Sequence, residues 1–133
     1  MNGTIKSVWD TNAVIDWLQG NSTFQSVIKE HDLNSDIAVS QITRMEILAR
    51  RGINEQDLSS VHTFLRRSFV VFITPEVEEE AIRLRHDCRI KLPDAIVAAT
   101  ARVCACPLVT RDLELIHKLG DRLVVFDANS TAR

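Results

Sequence analysis

Cysteine is scarce in this chain of 133 residues, which contains only Cys88, Cys104 and Cys106. The number is odd and two of the three lie two residues apart, which is a poor basis for a disulfide framework, so we expect a reducing, cytoplasmic environment. A zinc site built on Cys104, Cys106 and a nearby histidine would need a second Cys or His pair at ligand spacing, and the sequence offers none. Packing is the preferred interpretation of these thiols.

Long apolar runs and a secretory leader are also lacking. The longest apolar stretch, from Ala95 to Val109, is broken by Arg102 and Pro107 and falls short of the roughly 20 residues that a membrane-spanning helix needs. The amino-terminal segment MNGTIKSVWD has neither a basic stretch before an apolar core nor a small-residue cleavage site. We therefore expect neither secretion nor membrane association.

An excess of positive charge is the third absence, because the formal net charge is −2. This value at first argues against a polyanionic partner. Removing the four negative charges that are assigned below to candidate metal ligands changes it from −2 to +2. Arginines are numerous, so contact with phosphates is feasible, although most of them are expected on solvated helix faces.

The chain has the length and the 45% hydrophobic content of one ordinary domain, and no linker or repeat divides residues 1–133. Five short apolar runs are typical of strands: residues 5–9, 36–40, 69–73, 108–109 and 123–126. The run FVVFI at 69–73 is expected to be covered on both faces. Helical patterns lie between these runs: residues 10–20, 22–30, 41–51, 54–67 and 75–88, residues 93–103, and the segment that starts at Asp112.

This alternation predicts the α/β class, a three-layer α/β/α sandwich with a mainly parallel sheet of about five strands. In such sheets ligands gather at the carboxyl ends of the strands, near the switch in strand order. Asp10 and Asp112 both follow predicted strand ends, and Asp94 stands at a predicted helix start. Each of the three is also explained, when taken alone, as a helix cap or a first-turn acid.

Glu46 favours a functional interpretation of the acids. Ile42, Met45, Glu46 and Ala49 have the spacing of one helix face, so we expect the Glu46 carboxylate on the buried side. Burying an unpaired carboxylate costs several kcal/mol, so it would be neutral, salt-bridged or bound to a cation. A surface salt bridge to Arg50, four residues on, is the alternative.

If the four acids converge, their repulsion raises some pKa values and destabilises the empty site, and a divalent cation removes the conflict. Ligands that are all oxygen favour Mg²⁺ or Mn²⁺. A pair of such ions can activate water on one side of a phosphodiester and hold the leaving oxygen on the other. The four histidines have no partner at motif spacing, so a metal-independent ribonuclease is unsupported.

Four blocks, in order, resemble the PIN domain and within it the small VapC-like toxins: DTNAVIDWL, SQITRMEIL, LPDAIVAATA and LVTRDLELI. The resemblance covers almost the whole chain. It implies a metal-dependent endoribonuclease with four metal-coordinating acids: Asp10, Glu46, Asp94 and Asp112. It also implies that three residues shape the site: Thr11, Asn12 and Thr110. Arg111 stands where a small polar residue such as Asn is frequent, and would either reach a substrate phosphate or close off the site.

The same resemblance implies a homodimer and a cognate VapB-like antitoxin whose C-terminal segment blocks the site with a basic group. We expect this partner on residues 41–67, where Phe64 and Leu48 are candidate exposed apolar contacts. A housekeeping RNA-processing PIN nuclease and a catalytically silent metal- or RNA-binding module are the alternatives. An aspartyl-phosphate phosphatase would want a second Asp where Asn12 stands, and a receiver domain would want an acidic pair and a late Lys that are missing.

Overall fold

The computed structural model describes residues 4–129, and the ends of the predicted domain, residues 1–3 and 130–133, lie outside the described residues. The strands are β1 (Ser7–Trp9), β2 (Ile37–Ser40), β3 (Phe69–Val71), β4 (Leu108–Thr110) and β5 (Val125–Asp127). The helices are α1 (Thr11–Leu18), α2 (Ser22–Glu30), α3 (Gln41–Leu48), α4 (Glu55–Arg66), α5 (Pro75–Cys88), α6 (Leu92–Cys104) and α7 (Leu113–Leu119).

The five strands form one sheet in the order β3-β2-β1-β4-β5, and every neighbouring pair is parallel. The predicted α/β class with a parallel sheet is therefore confirmed. From β1 the chain builds outward through β2 and β3, then returns to add β4 and β5 on the other side of β1. The strand order thus switches between β1 and β4, and the crevice at the carboxyl ends of these two strands is where such sheets bind ligands.

Helices cover both faces of the sheet. On β1, Val8 packs in a core with α5, α6 and α7, whereas Trp9 packs in a second core with α1 to α4. Both side chains have no exposed surface, as expected for successive residues of a central strand, which point to opposite faces. The three layers of the predicted sandwich follow from this division.

Helices α5 and α6 hold the first core together. Thr74 caps α5 by accepting from the Val77 N–H at 3.2 Å, and Pro75 occupies the first turn, as predicted. The predicted inward side of α5 is buried: Val77, Ala81, Leu84 and Cys88. Alanines dominate α6 and let it lie close to the sheet as a central helix. In residues 4–129, no helix combines the length and the apolarity needed to cross a membrane.

The FVVFI segment is the main error in the predicted fold. Only Phe69–Val71 forms a strand, and β3 lies at the edge of the sheet, where its two faces are covered only in part, by contacts of Val70 with the second core and of Val71 with the first. Phe69 is 43% exposed and Phe72, just beyond the strand, is 66% exposed. An apolar run of strand length cannot reveal that it forms an edge strand with less cover than a central one, because its place in the sheet depends on the strand order.

Smaller differences concern the segment 41–67. Helix α3 ends at Leu48, with its cap at Ala49, three residues before the predicted end. Leu58 was expected to face inward but is 37% exposed, whereas Val61 and Leu65 are buried as predicted. Phe64 and Leu48, expected to be exposed, are half-buried and pack against the second core.

Candidate active site

Asp10 lies at the carboxyl end of β1 and is the N-cap of α1. Its backbone N–H donates to the Val109 carbonyl of β4 at 2.9 Å, so it lies at the switch in strand order. The side chain accepts three hydrogen bonds, from the Thr11 N–H at 2.8 Å, the Thr110 hydroxyl at 2.8 Å and the Asn12 amide at 3.2 Å. Asp10 is therefore both the predicted cap and a carboxylate held in one orientation.

Burial of the Asp10 carboxyl works against its negative charge. Three hydrogen bonds would normally stabilise the charged form and lower the pKa. Asp10 is only 5% exposed, however, and burial raises its pKa from 3.8 to about 6, with further upward contributions from Asp94 and Asp112. Desolvation thus outweighs the hydrogen bonds, and the protein environment disfavours the negative charge of Asp10.

Thr110 connects two of the acids. It ends β4, is completely buried, donates its hydroxyl to Asp10, and accepts the Asp112 N–H at 3.1 Å. Asp112 in turn caps α7 by accepting from the Leu115 N–H at 3.0 Å. The carboxyl ends of neighbouring parallel strands therefore place Asp10 and Asp112 on the same side of the sheet.

Asp94 lies in the first turn of α6 and is half-buried. Burial raises its pKa, the Asp112 charge raises it further, Lys91 lowers it, and Glu46 and Glu114 add to the rise. These mutual effects put all four predicted acids in one electrostatic neighbourhood. Glu114, two residues after Asp112, also belongs to it and was missed from the sequence, although it also pairs with Lys118 at 3.1 Å.

Glu46 reaches this neighbourhood by a route that differs from the predicted one. The inward residues of α3 are Thr43 and Ile47, while Glu46 is exposed and Met45 is 53% exposed, so the argument from a buried helix face is wrong. The Glu46 carboxylate accepts instead from the Thr11 hydroxyl at 2.6 Å. Glu46 therefore stands at the open rim of the acidic site, and within the described residues it forms no ion pair with Arg50.

The donor set fits a hard divalent cation. Among residues 4–129, no Lys, Arg or His lies within ion-pair distance of the four acids. The same part of the chain contains no group of three or more His, Cys, Asp or Glu side chains arranged to hold a single ion. Mg²⁺ keeps several waters and uses one or two carboxylates together with substrate phosphates, so it does not need a complete protein cage. Uncompensated carboxylate oxygens therefore suit Mg²⁺ or Mn²⁺.

Arg111 is turned away from these acids. Its guanidinium donates to Asp16 at 2.9 Å and to Asn129 at 3.1 Å, and it lies over the Phe24 ring at 5.6 Å from the ring centre. Its backbone N–H donates to the Asn12 side chain at 3.0 Å. Asp16 and Asn129 use only two of the five N–H donors of this guanidinium, so the predicted phosphate contact of Arg111 would have to be made by the remaining N–H groups of a side chain that is 27% exposed.

The comparisons agree with this architecture. The PIN domain family matches residues 8–120, so the chain belongs to the PIN domain family. Among curated proteins, none matches the chain.

Solved structures are similar over nearly the whole chain. A chain of a toxin–antitoxin complex from Klebsiella pneumoniae is 25% identical, with a TM-score of 0.78 over 92% of this chain and 98% of that one. A chain of DNA-bound VapBC from Salmonella typhimurium is 20% identical, with a TM-score of 0.78 over 93% of this chain and 98% of that one. A chain of VapBC-1 from nontypeable Haemophilus influenzae is 17% identical, with a TM-score of 0.76 over 95% of this chain and 100% of that one. The last two likenesses concern the fold.

Proposed function

We propose that this PIN domain protein is an endoribonuclease that uses Mg²⁺ or Mn²⁺ to hydrolyse RNA phosphodiester bonds, and that it is the toxin of a type II toxin–antitoxin pair. The observation that carries the proposal is the group of acids at the switch in strand order, where burial and repulsion raise the pKa of Asp10 and of Asp94. Carboxylates arranged in this way are destabilised without a cation and stabilised with one.

The cation would bind among the four predicted acids, with one or two of them as direct ligands and waters in its other positions: Asp10, Glu46, Asp94 and Asp112. A bound divalent cation would supply a water activated for attack on phosphorus and a positive charge beside the leaving oxygen. Thr110 and Asn12 orient the Asp10 carboxylate, and Thr11 fixes Glu46 at the rim. The open rim at Glu46 leaves room for a polymeric substrate to approach.

A basic peptide is the partner that this site would attract, because its acids have no cation of their own within ion-pair distance among residues 4–129. We therefore propose that a VapB-like antitoxin covers the site and packs on the segment 41–67, where Met45 and Leu58 are 53% and 37% exposed. The similarity to chains of toxin–antitoxin complexes supports this assignment. We further propose that the protein works in the cytoplasm as a homodimer.

The nuclease assignment is tested by Asp94→Asn in an RNA cleavage assay with Mn²⁺. Loss of a metal ligand should reduce cleavage at least ~100-fold, since even the partners that orient such ligands are worth roughly 10- to 100-fold. Asp57→Asn is a matched control, because Asp57 also lies in the first turn of a helix but is exposed on α4. Full activity of Asp94→Asn would contradict the proposal.

The toxin role is tested separately by inducible expression. Growth should stop when the protein is expressed alone and recover when the neighbouring antitoxin gene is expressed with it. Cleavage in vitro without any effect on growth would favour the housekeeping alternative. A wild type that binds metal and RNA without cleaving would favour the catalytically silent binding module.

A further inference from the structure

The Arg111 side chain is held from three sides. Asp16 of α1 accepts from Nη1 at 2.9 Å, and this ion pair is mostly shielded, with side-chain exposures of 27% for Arg111 and 28% for Asp16. Asn129, after β5, accepts from Nε at 3.1 Å. The Phe24 ring of α2 supports the guanidinium face. We call Asp16, Arg111 and Asn129 the Arg111 clamp.

The backbone of Arg111 is fixed by the same neighbours. Asn129 donates its amide to the Arg111 carbonyl at 2.9 Å and to the Asp127 carboxylate at 3.1 Å. The Arg111 N–H donates to the Asn12 oxygen, which leaves the Asn12 amide nitrogen directed at Asp10. An amide whose oxygen already accepts a hydrogen bond cannot reverse its ends without losing that bond.

Arg111 also lies between two residues of the site in the chain. Thr110 donates to Asp10, and Asp112 is one of the four acids. A shift of the Arg111 backbone would therefore move Thr110 and Asp112. It would also displace the Arg111 N–H that orients the Asn12 amide. Displacements of about 1 Å at such positions can cost roughly 100-fold in rate.

We propose that Asp16 and Asn129 are positioning residues, which hold Arg111 so that Asp10 and Asp112 keep their orientation in the acidic site. The inference rests on the proposed nuclease function. It gives Arg111 a role different from binding a substrate phosphate, since its charge is used within the protein. It also gives Asn129, which follows β5, a role in the site.

The first test is steady-state cleavage of RNA with Mn²⁺ by Asp16→Asn. A positioning role predicts that kcat falls roughly 10- to 100-fold while KM changes little. Asp16→Glu, which keeps the charge, should recover most of kcat. The double variant Asp16→Asn/Arg111→Ala should be no slower than Arg111→Ala alone, because the two substitutions break the same Asp16–Arg111 contact.

The opposite result is equally specific. Suppose that Arg111→Ala raises KM and reduces the slope of log K against log salt concentration by the amount expected for about one phosphate contact, while Asp16→Asn retains wild-type kcat. Arg111 is then a phosphate contact and the clamp is wrong. Asp32→Asn is the matched control, because it breaks the exposed Lys6–Asp32 pair, and it should keep wild-type kcat and KM.

A second measurement needs neither metal nor RNA. In Asp16→Asn and in Asn129→Ala, hydrogen exchange of the Arg111 amide should become at least ~10-fold faster, while the amide of Val8, bonded to Pro107, keeps its wild-type rate. Unchanged exchange at Arg111 in both variants would overturn the clamp. If the wild type cleaves no RNA, the proposed function fails, and this exchange measurement still decides the clamp.

Discussion

Asp10→Asn should stabilise the protein in the absence of metal. The folded chain raises the pKa of Asp10 from 3.8 to about 6, so folding favours the protonated carboxyl. Well below pH 3.8 Asp10 is protonated in both states, and its burial then has no charge cost. Between about pH 4 and 6 the unfolded state releases this proton while the folded state retains it, so the free energy of unfolding falls as the pH rises and levels off above about pH 6.

The magnitude follows from the two pKa values. Their difference corresponds to roughly 3 kcal/mol at neutral pH, since each tenfold change in proton affinity is worth about 1.4 kcal/mol. Asn removes this cost, but its amide nitrogen replaces one of two acceptor oxygens, either Oδ1, which accepts from Thr11, or Oδ2, which accepts from Thr110 and Asn12. Losing part of this hydrogen bonding costs about 1 kcal/mol. We therefore expect Asp10→Asn to be more stable than the wild type by about 2 kcal/mol.

The assay is urea unfolding in EDTA at pH 7.5 and at pH 4, for the wild type, Asp10→Asn and the exposed control Asp57→Asn. The gain of Asp10→Asn should be present at pH 7.5 and largely absent at pH 4, where the wild-type carboxyl is neutral. Asp57→Asn should have the same free energy of unfolding as the wild type at both pH values. A variant that is less stable than the wild type at pH 7.5, or a gain that is the same at both pH values, would refute the reasoning.

Two further predictions concern the same site. Mn²⁺ or Mg²⁺ should raise the melting temperature of the wild type more than that of Asp10→Asn, because the cation relieves repulsion that the variant lacks, and equal shifts would count against a metal at Asp10. Thr110→Val should lower stability by roughly 1 to 3 kcal/mol, because it removes one of the three hydrogen bonds of the buried Asp10 carboxylate and the acceptor of the Asp112 N–H. Thr110→Ser keeps the hydroxyl and should retain nearly wild-type stability in the same unfolding assay, and an equal loss in both variants would point to packing instead.

The positions of the aspartates could be predicted because strand ends set them. Asp10 follows β1 and Asp112 follows the end of β4, and neighbouring parallel strands bring their carboxyl ends together. Asp94 follows a proline that opens a helix, which is a local signal. The strand end or helix start beside each aspartate is a local signal, but the meeting of Asp10 and Asp112 depends on β1 and β4 being neighbours in the strand order.

Glu46 could be predicted as an acid of the site, but its environment could not. Helical spacing places it beside Met45, and both are exposed, because the side of α3 that faces the core is set by Thr43 and Ile47. The contact that brings Glu46 to the site comes from Thr11 of a different helix. Spacing within one helix contains no information about such a neighbour.

Asp16 and Asn129 had no signal in the sequence. Asp16 is 95 residues from Arg111 along the chain, and Asn129 lies in the segment after the last strand. Their contact depends on the strand order, which puts β4 between β1 and β5. The alternation of strands and helices predicts a parallel sheet but leaves this order open, and the exposure of β3 was misjudged for the same reason.

The most direct test is the anomalous diffraction signal of Mn²⁺ in crystals of the wild type. We predict a Mn²⁺ peak within bonding distance of Asp10 or Asp94 carboxylate oxygens, at the carboxyl ends of β1 and β4. A peak that lies only elsewhere on the protein, or crystals saturated with Mn²⁺ that show no peak at these acids, would contradict the account.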